Sequence, residues 1–245
     1  MRAPCAAYAF FGFVLGSQML LGCGARPEGN APMSTALAAP APSGGLSLFG
    51  PGSAHGSRSV SPFGALVRGA SKCPIGMTSV DDAYCIDRYE ATLEELRPGG
   101  IVVPHAHNLT VEGLVVRAVS APHVLPQAFI SAKEAESACR AAGKRLCKAW
   151  EWRFACRGPF ENRYPYGNER VVGRCNDHGK SAVQAVHVSY KGGFRALNDP
   201  RLGLQPGTLA KTAEHEGCES AFGAFDMVGN VHEWVEGGAF AGGYY

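Results

Sequence analysis

The stretch "DMVGNVHEWV", Asp226–Val235, crowds Asp, Gly, Asn, His, Glu and Trp into one short segment near the end of a 245-residue chain. Its His-Glu pair suggests a zinc-protease helix. That motif requires a second His three residues beyond the Glu, and "HEWVEGG" holds none. Taken alone, Asp226 and Glu233 read as ordinary turn and surface carboxylates, so the reason for the cluster has to come from the rest of the chain.

Composition narrows the class. The net charge of +2 at pH 7 is too small to imply a nucleic-acid or anionic-membrane partner. With 32 Gly and 16 Pro, loops should outnumber regular elements. No long heptad pattern and no internal repeat runs through the chain. A loop-rich mixed fold is expected, and neither a helical bundle nor a parallel α/β sheet.

Residues 1–22 read as an export signal: Arg2 is followed by an apolar run with no further charge until Arg26. The run is short and rich in small residues, unlike a membrane span. Leu20-Leu21-Gly22-Cys23 resembles the lipobox of bacterial lipoproteins, in which the Cys becomes the lipidated N-terminus. The alternatives are an ordinary cleaved signal or an uncleaved anchor, with Cys23 incidental. The lipoprotein reading implies a protein exported to the cell envelope and held on a membrane by its N-terminal lipid. Residues 23–71 are dominated by Ala, Pro, Gly and Ser, too apolar-poor to offset the entropy of ordering. They read as a flexible tether with a reach of roughly 40 Å, which places the folded domain at 72–245.

Nine cysteines are present. Setting aside Cys5 and Cys23 leaves Cys73, Cys85, Cys139, Cys147, Cys156, Cys175 and Cys218, dense enough to read as the disulfide framework of an exported domain. Cys73 and Cys85 bracket a short segment and could staple a hairpin. No CxxC pair supports a thiolate zinc site or a thioredoxin-type centre. Their number is odd, so one lacks a partner among them.

Along the domain, "YCIDRYEAT", Tyr84–Thr92, alternates as an early strand. Ser131 with Glu134 forms a capping box, Ala135, Ala138 and Cys139 supply an apolar face, and Gly143 ends that helix. A second helix is expected from about Lys148 to Cys156, with Trp152, Ala155 and Cys156 on one face. From Asn176 to Gly217 the chain is polar and irregular, a stretch that needs function, disulfides or ions to order it.

These pieces, in order, resemble the formylglycine-generating enzyme domain, the sulfatase-modifying factor family. The motifs are "YCIDRYEAT", "ISAKEAESACRAAGKRL", "KRLCKAWEWRFACRG", "YPYGN", "CN" and "FGAFDMVGNVHEWV", spread over Tyr84 to Val235. The resemblance implies an α+β, loop-rich, C-type-lectin-like fold with little regular secondary structure. It also implies that the opening segment wraps a structural calcium ion. The side chains of Asp226 and Glu233 and the carbonyls of Gly229 and Val231 would be its ligands. Calcium takes six to eight hard oxygens, which carboxylates and turn carbonyls can supply. Asn176, with the carbonyl of Asp177, resembles the start of a second calcium site; its remaining ligands do not align, and Asp199 is only a candidate.

Other residues read as structural. His232, where the family often has Trp, is expected to be packed or on the surface. Trp150, Trp152 and Trp234 are expected in the core, and Arg145 with Glu151 as an ion pair. His105, His107 and His123 show no ligand spacing. In catalytic members a cysteine pair after an "RGGS"-like turn binds copper and activates oxygen; related members use non-haem iron. Here the turn falls at Gly242-Gly243 and the pair does not follow, which implies a domain cut before its closing strand. Copper or iron is then expected only with a further segment. Nothing in the sequence brings Cys147 and Cys156 together as a substitute, and they read as added disulfides. The expectation is a calcium-stabilised domain without formylglycine-forming activity. The rivals are a fragment of an oxygen-dependent oxidase and a surface module that binds a protein or glycan.

Overall fold

A disulfide-stapled hairpin opens the domain. β3 (Met77–Val80) and β4 (Tyr84–Asp87) pair antiparallel with Ser79 opposite Cys85, and Cys73 bonds to Cys85 as the spacing suggests. Their turn holds Asp81 and Asp82 at φ of 51° and 54°, a conformation Asp tolerates better than most residues. The computed structural model describes residues 19–21, 23–25, 72–177, 181–187 and 197–243.

The single strand expected over Tyr84–Thr92 is two. All four residues of β4 are buried, the pattern of a strand covered on both faces. The ladder breaks at Arg88 and Tyr89 because their backbone groups bond to other parts of the chain. Arg88 N–H donates to the Gly76 carbonyl, the Arg88 carbonyl accepts from Phe225, and Tyr89 N–H donates to Ser120 Oγ. β5 (Ala91–Arg97) then begins a separate three-stranded sheet, flanked by β6 (Ile101–Pro104) and β7 (Val116–Ser120), all antiparallel.

α1 (Ala132–Ala141) forms as the capping signals require. Glu134 N–H donates to Ser131 Oγ and Ser131 N–H donates back to the Glu134 carboxylate, while Ala135, Ala138 and Cys139 are buried. β8 (Arg145–Leu146) leads into α2 (Ala149–Arg157). The expected irregular stretch after Asn176 contains α3 (Ala182–Val186) and a 3-10 turn at Leu202–Leu204, and is closed at its base by the Cys175–Cys218 disulfide. β9 (His232–Trp234) pairs antiparallel with β10 (Phe240–Gly242).

One strand lies in the expected signal and a second opens the expected tether. β1 (Met19–Leu21) runs parallel to β9, and β2 (Cys23–Ala25) lies between β4 and β8. Residues 1–18 and 22 of the expected signal, and residues 26–71, most of the tether, lie outside the described residues. The architecture is the α+β, loop-rich class expected.

Trp152 is fully buried among Val80, Ile86, Met227, Val235 and Ala241. A second cluster packs α1 onto Leu93, Val116 and Ala118. Trp150 is not core, contrary to expectation. It is 57% exposed, because Trp152 takes the inward face of α2 and Trp150 rests edge-on against Tyr84. His105 bonds to Glu95 and the Leu109 carbonyl, and His107 to the Gly203 carbonyl, so both are structural. Cys139 and Cys156 are disulfide-bonded, and among the described residues the free cysteine is Cys147, buried in the core, which corrects its reading as an added disulfide.

Arg145 grips Glu151 with both guanidinium arms, at 2.7 and 2.6 Å, and Glu151 also accepts from Lys148 N–H at 2.7 Å. This fixes the start of α2 against β8. Burial pushes the Glu151 carboxyl up, but Arg145 and the Lys148 N–H outweigh it and hold the group below its ordinary value. A depressed carboxyl stabilises the fold above its unfolded-state pKa and loses that contribution in acid. Arg145→Leu is therefore expected to cost about 2–3 kcal/mol at pH 7, less than a fully buried pair because the Arg145 side chain is 35% exposed. Urea denaturation across pH should show this difference shrinking below about pH 4; a pH-independent difference would refute the ion-pair account.

Candidate functional site

The segment leading into β9 is held by backbone turns. Asp226 N–H donates to the Cys218 carbonyl, next to the Cys175–Cys218 disulfide. Asp226, Gly229 and Asn230 all have positive φ, at 57°, 83° and 55°. Such a run re-aims successive peptide groups, which lets carbonyls and side chains of one short segment point to a common side.

Asn230 locks this turn. It is buried, and every hydrogen-bonding position of its amide is used. Its Oδ1 accepts from Asn176 Nδ2 at 2.9 Å and Ala210 N–H at 2.8 Å. Its Nδ2 donates to the Ala210 carbonyl at 3.1 Å and to Glu90 Oε2 at 2.5 Å. Its backbone N–H donates to the Asn176 carbonyl at 2.9 Å. The two motif pieces, around Asn176 and around Asp226, therefore belong to one network. Asp177, beside it, has its carboxylate engaged by Arg170 at 2.8 Å. Asp199 is bound by Arg201 and His187, so its charge is already matched away from the cluster.

The cluster is rich in buried acid. Asp87, Glu90, Asp226 and Glu233 are all buried. Lys144 contacts Asp87 at 2.7 Å, yet burial still pushes that carboxyl up to about 6. Among the described residues, neither lysine nor arginine forms an ion pair with Glu90, Asp226 or Glu233. Burial raises Asp226 to about 6, with Ala213 N–H opposing it from 2.7 Å. Burial, Asp226 and Asp87 raise Glu233 to about 8; the Trp152 indole is near enough to act against this without closing a hydrogen bond of ordinary geometry. Burial, then the charges of Asp226 and Glu233, raise Glu90 well above its usual value. Acids this short of positive charge favour an added cation.

The donor set is hard oxygen. Among the described residues no three His, Cys, Asp or Glu side chains form a ready-made metal cage, so a cation here would need backbone carbonyls in its shell. The residues picked out from sequence have that composition: the carboxylates of Asp226 and Glu233 with turn carbonyls at Gly229 and Val231. The sequence reading missed Glu90 and the part played by Asn230. No local signal in the sequence marked either residue, because the bond between them joins positions 140 apart. The opposite chemistry is absent from this cluster: the Cys147 thiol is shut in the core and pushed well up by burial, then by Glu233 and Glu151, which leaves it inert.

Comparison with known proteins supports a family. The sequence profile described as sulfatase-modifying factor enzyme 1-like domain matches residues 54–238. Formylglycine-generating enzyme of Mus musculus is 32% identical over 113 residues, 45% of this chain and 26% of that protein. Inactive C-alpha-formylglycine-generating enzyme 2 of Bos taurus is 31% identical over 118 residues, 45% of this chain and 32% of that protein. The matches thus span about a quarter to a third of these relatives' length.

The network also sets a steric demand. A Cβ at Gly229 would lie 2.1 Å from the Asn176 carbonyl oxygen, whereas nothing lies within 4 Å of one at Gly237. Gly229→Ala is expected to cost about 3–5 kcal/mol. Gly237→Ala, strained only by its positive φ, should cost about 1–2 kcal/mol. Denaturant titration of the two variants checks this, and equal costs would show that the approach of Asn176 is not constraining.

Proposed function

The chain belongs to the sulfatase-modifying factor domain family, and from that premise we propose that it is an exported, lipid-anchored, calcium-stabilised domain of this family rather than a formylglycine-forming oxidase. The observation that carries the calcium reading is the trio of buried carboxylates Glu90, Asp226 and Glu233 with no lysine or arginine paired to them among the described residues. Asp226 and Glu233, with the Gly229 and Val231 carbonyls, would hold one ion. Asn176 and the Asp177 carbonyl would contribute to a second. A bound divalent cation supplies the missing positive charge and ties the turn to β9; it takes no part in a reaction here.

The oxidase alternative draws on the name of the mouse relative, and the name of the bovine one points the other way. The thiols favour the non-catalytic reading. Of the seven domain cysteines, six are disulfide-bonded and Cys147 is enclosed. The purified chain with copper is expected to leave the cysteine of a CxPxR peptide unoxidised; formylglycine detected by mass spectrometry would overturn this.

Membrane attachment is assigned to a lipid on Cys23, on the strength of Leu20-Leu21-Gly22-Cys23; the cleavage that frees Cys23 would remove β1 and leave Cys23 as the first residue of β2. No helix among the described residues is long and apolar enough to cross a membrane. Radiolabelled palmitate should enter the chain during expression in bacteria and be lost in Cys23→Ala; label retained in that variant would refute the assignment.

Calcium makes the central test. At a hundredfold excess over Kd, a ligand specific to the folded state adds about 2.7 kcal/mol. Chelation should therefore lower Tm by about 5–10 °C for a domain of this size, and restored calcium should reverse it. Asp226→Asn keeps an acceptor for Ala213 N–H but removes the charge, and should lose most of the calcium response. A Tm indifferent to chelator in the unsubstituted chain would sink the reading.

A further inference from the structure

We infer that Glu90 is a positioning residue for the proposed calcium site, holding the Gly229–Val231 turn in the geometry that lets its carbonyls and the flanking carboxylates converge. The inference rests on the calcium reading above and goes beyond it, since Glu90 lies more than a hundred residues away in sequence from the segment that would bind the ion.

Glu90 sits just ahead of β5 and is 2% exposed. Among the described residues no lysine or arginine pairs with it, and Arg88, two residues before it, contacts Glu219 instead. The Glu90 carboxylate is spent on the turn. Oε2 accepts from Asn230 Nδ2 at 2.5 Å and Oε1 accepts from Val231 N–H at 3.3 Å. One rigid group thus spans the side chain of one turn residue and the backbone of the next. Asn230 is not glycine yet stands at φ 55°, a conformation that costs about 1 kcal/mol or more and needs outside support. Glu90 supplies that support from one side and Asn176 from the other.

The chemistry calls for a carboxylate of this length. Both partners are donors, so the group between them must accept twice. Glu90→Gln would turn an NH2 toward one of the two donors. Glu90→Asp keeps the charge but withdraws it by one methylene, out of reach of at least one partner. A residue that acted only through its charge would tolerate the second change.

The experiment uses the full chain, with calorimetric calcium titration and terbium luminescence excited through indole, Trp152 lying beside Glu233. Near-UV circular dichroism identifies folded variants, and Glu90→Asp carries the test if Glu90→Gln does not fold. Both variants are expected to bind calcium about 10–100-fold more weakly, with the number of waters on bound terbium, from lifetimes in H2O and D2O, unchanged. Three results overturn the proposal: an unchanged Kd in a folded variant, full affinity in Glu90→Asp alone, or one additional water on terbium, which would make Glu90 a direct ligand. If the unsubstituted chain binds neither ion, the calcium reading itself fails and takes this inference with it.

Discussion

The side-chain amide of Asn230 joins stretches of chain that share no regular element: Glu90 ahead of β5, Asn176 beside a disulfide, Ala210 in the long connection, and its own turn. In a loop-rich domain this kind of bond does what a sheet ladder does elsewhere. It gives buried polar backbone a partner, and it fixes the distance between loops that have little apolar surface to hold them together. Because the amide is fully satisfied, no member can shift without exposing another buried donor or acceptor, and each such loss costs about 1–3 kcal/mol. The close seat of Gly229 on the Asn176 carbonyl follows from the same constraint.

Charge is distributed unevenly around this network. Lys144 and Arg145, adjacent in sequence, face two different acids, Asp87 and Glu151, and between them pin β4 and α2 to β8. Those pairs are structural. Among the described residues, Glu90, Asp226 and Glu233 have no lysine or arginine partner, and desolvation drives them toward their neutral forms. A folded domain does not gain stability from burying carboxylates in this way. Burial separates this cluster from the ordinary surface carboxylates that the motif alone would have allowed.

Scaffold and site are not separate parts here. β9 contributes Glu233 to the acid cluster while its backbone pairs with β10 and with β1. The Cys175–Cys218 disulfide closes the long connection at the point where Asn176 and Asp226 leave it, so a covalent bond brings the two motif pieces within reach of each other. The same logic applies at the start of the domain, where Cys73–Cys85 secures a hairpin too short to persist alone.

Local rules were legible in the sequence wherever neighbours along the chain decide the outcome. Ser131 and Glu134 announced α1, the apolar spacing of Trp152, Ala155 and Cys156 announced α2, and a run of ordered motifs carried the loop-rich α+β class and the family. Asp226 and Glu233 were singled out only through the family resemblance, since taken alone they read as ordinary turn and surface carboxylates. The break between β4 and β5 was not legible, since it arises from bonds to Gly76, Ser120 and Phe225, all distant in sequence. Nor was the odd cysteine, because disulfide pairing depends on which side chains meet in space. Glu90 and Asn230 were hidden for the same reason: hydrogen bonds between residues 140 positions apart leave no periodic trace. The sequence by itself determined the two capped or amphipathic helices α1 and α2, the loop-rich class and the family. Only the tertiary structure decided which acids are buried with no lysine or arginine paired to them among the described residues, because burial and charge pairing are properties of packing and not of order along the chain.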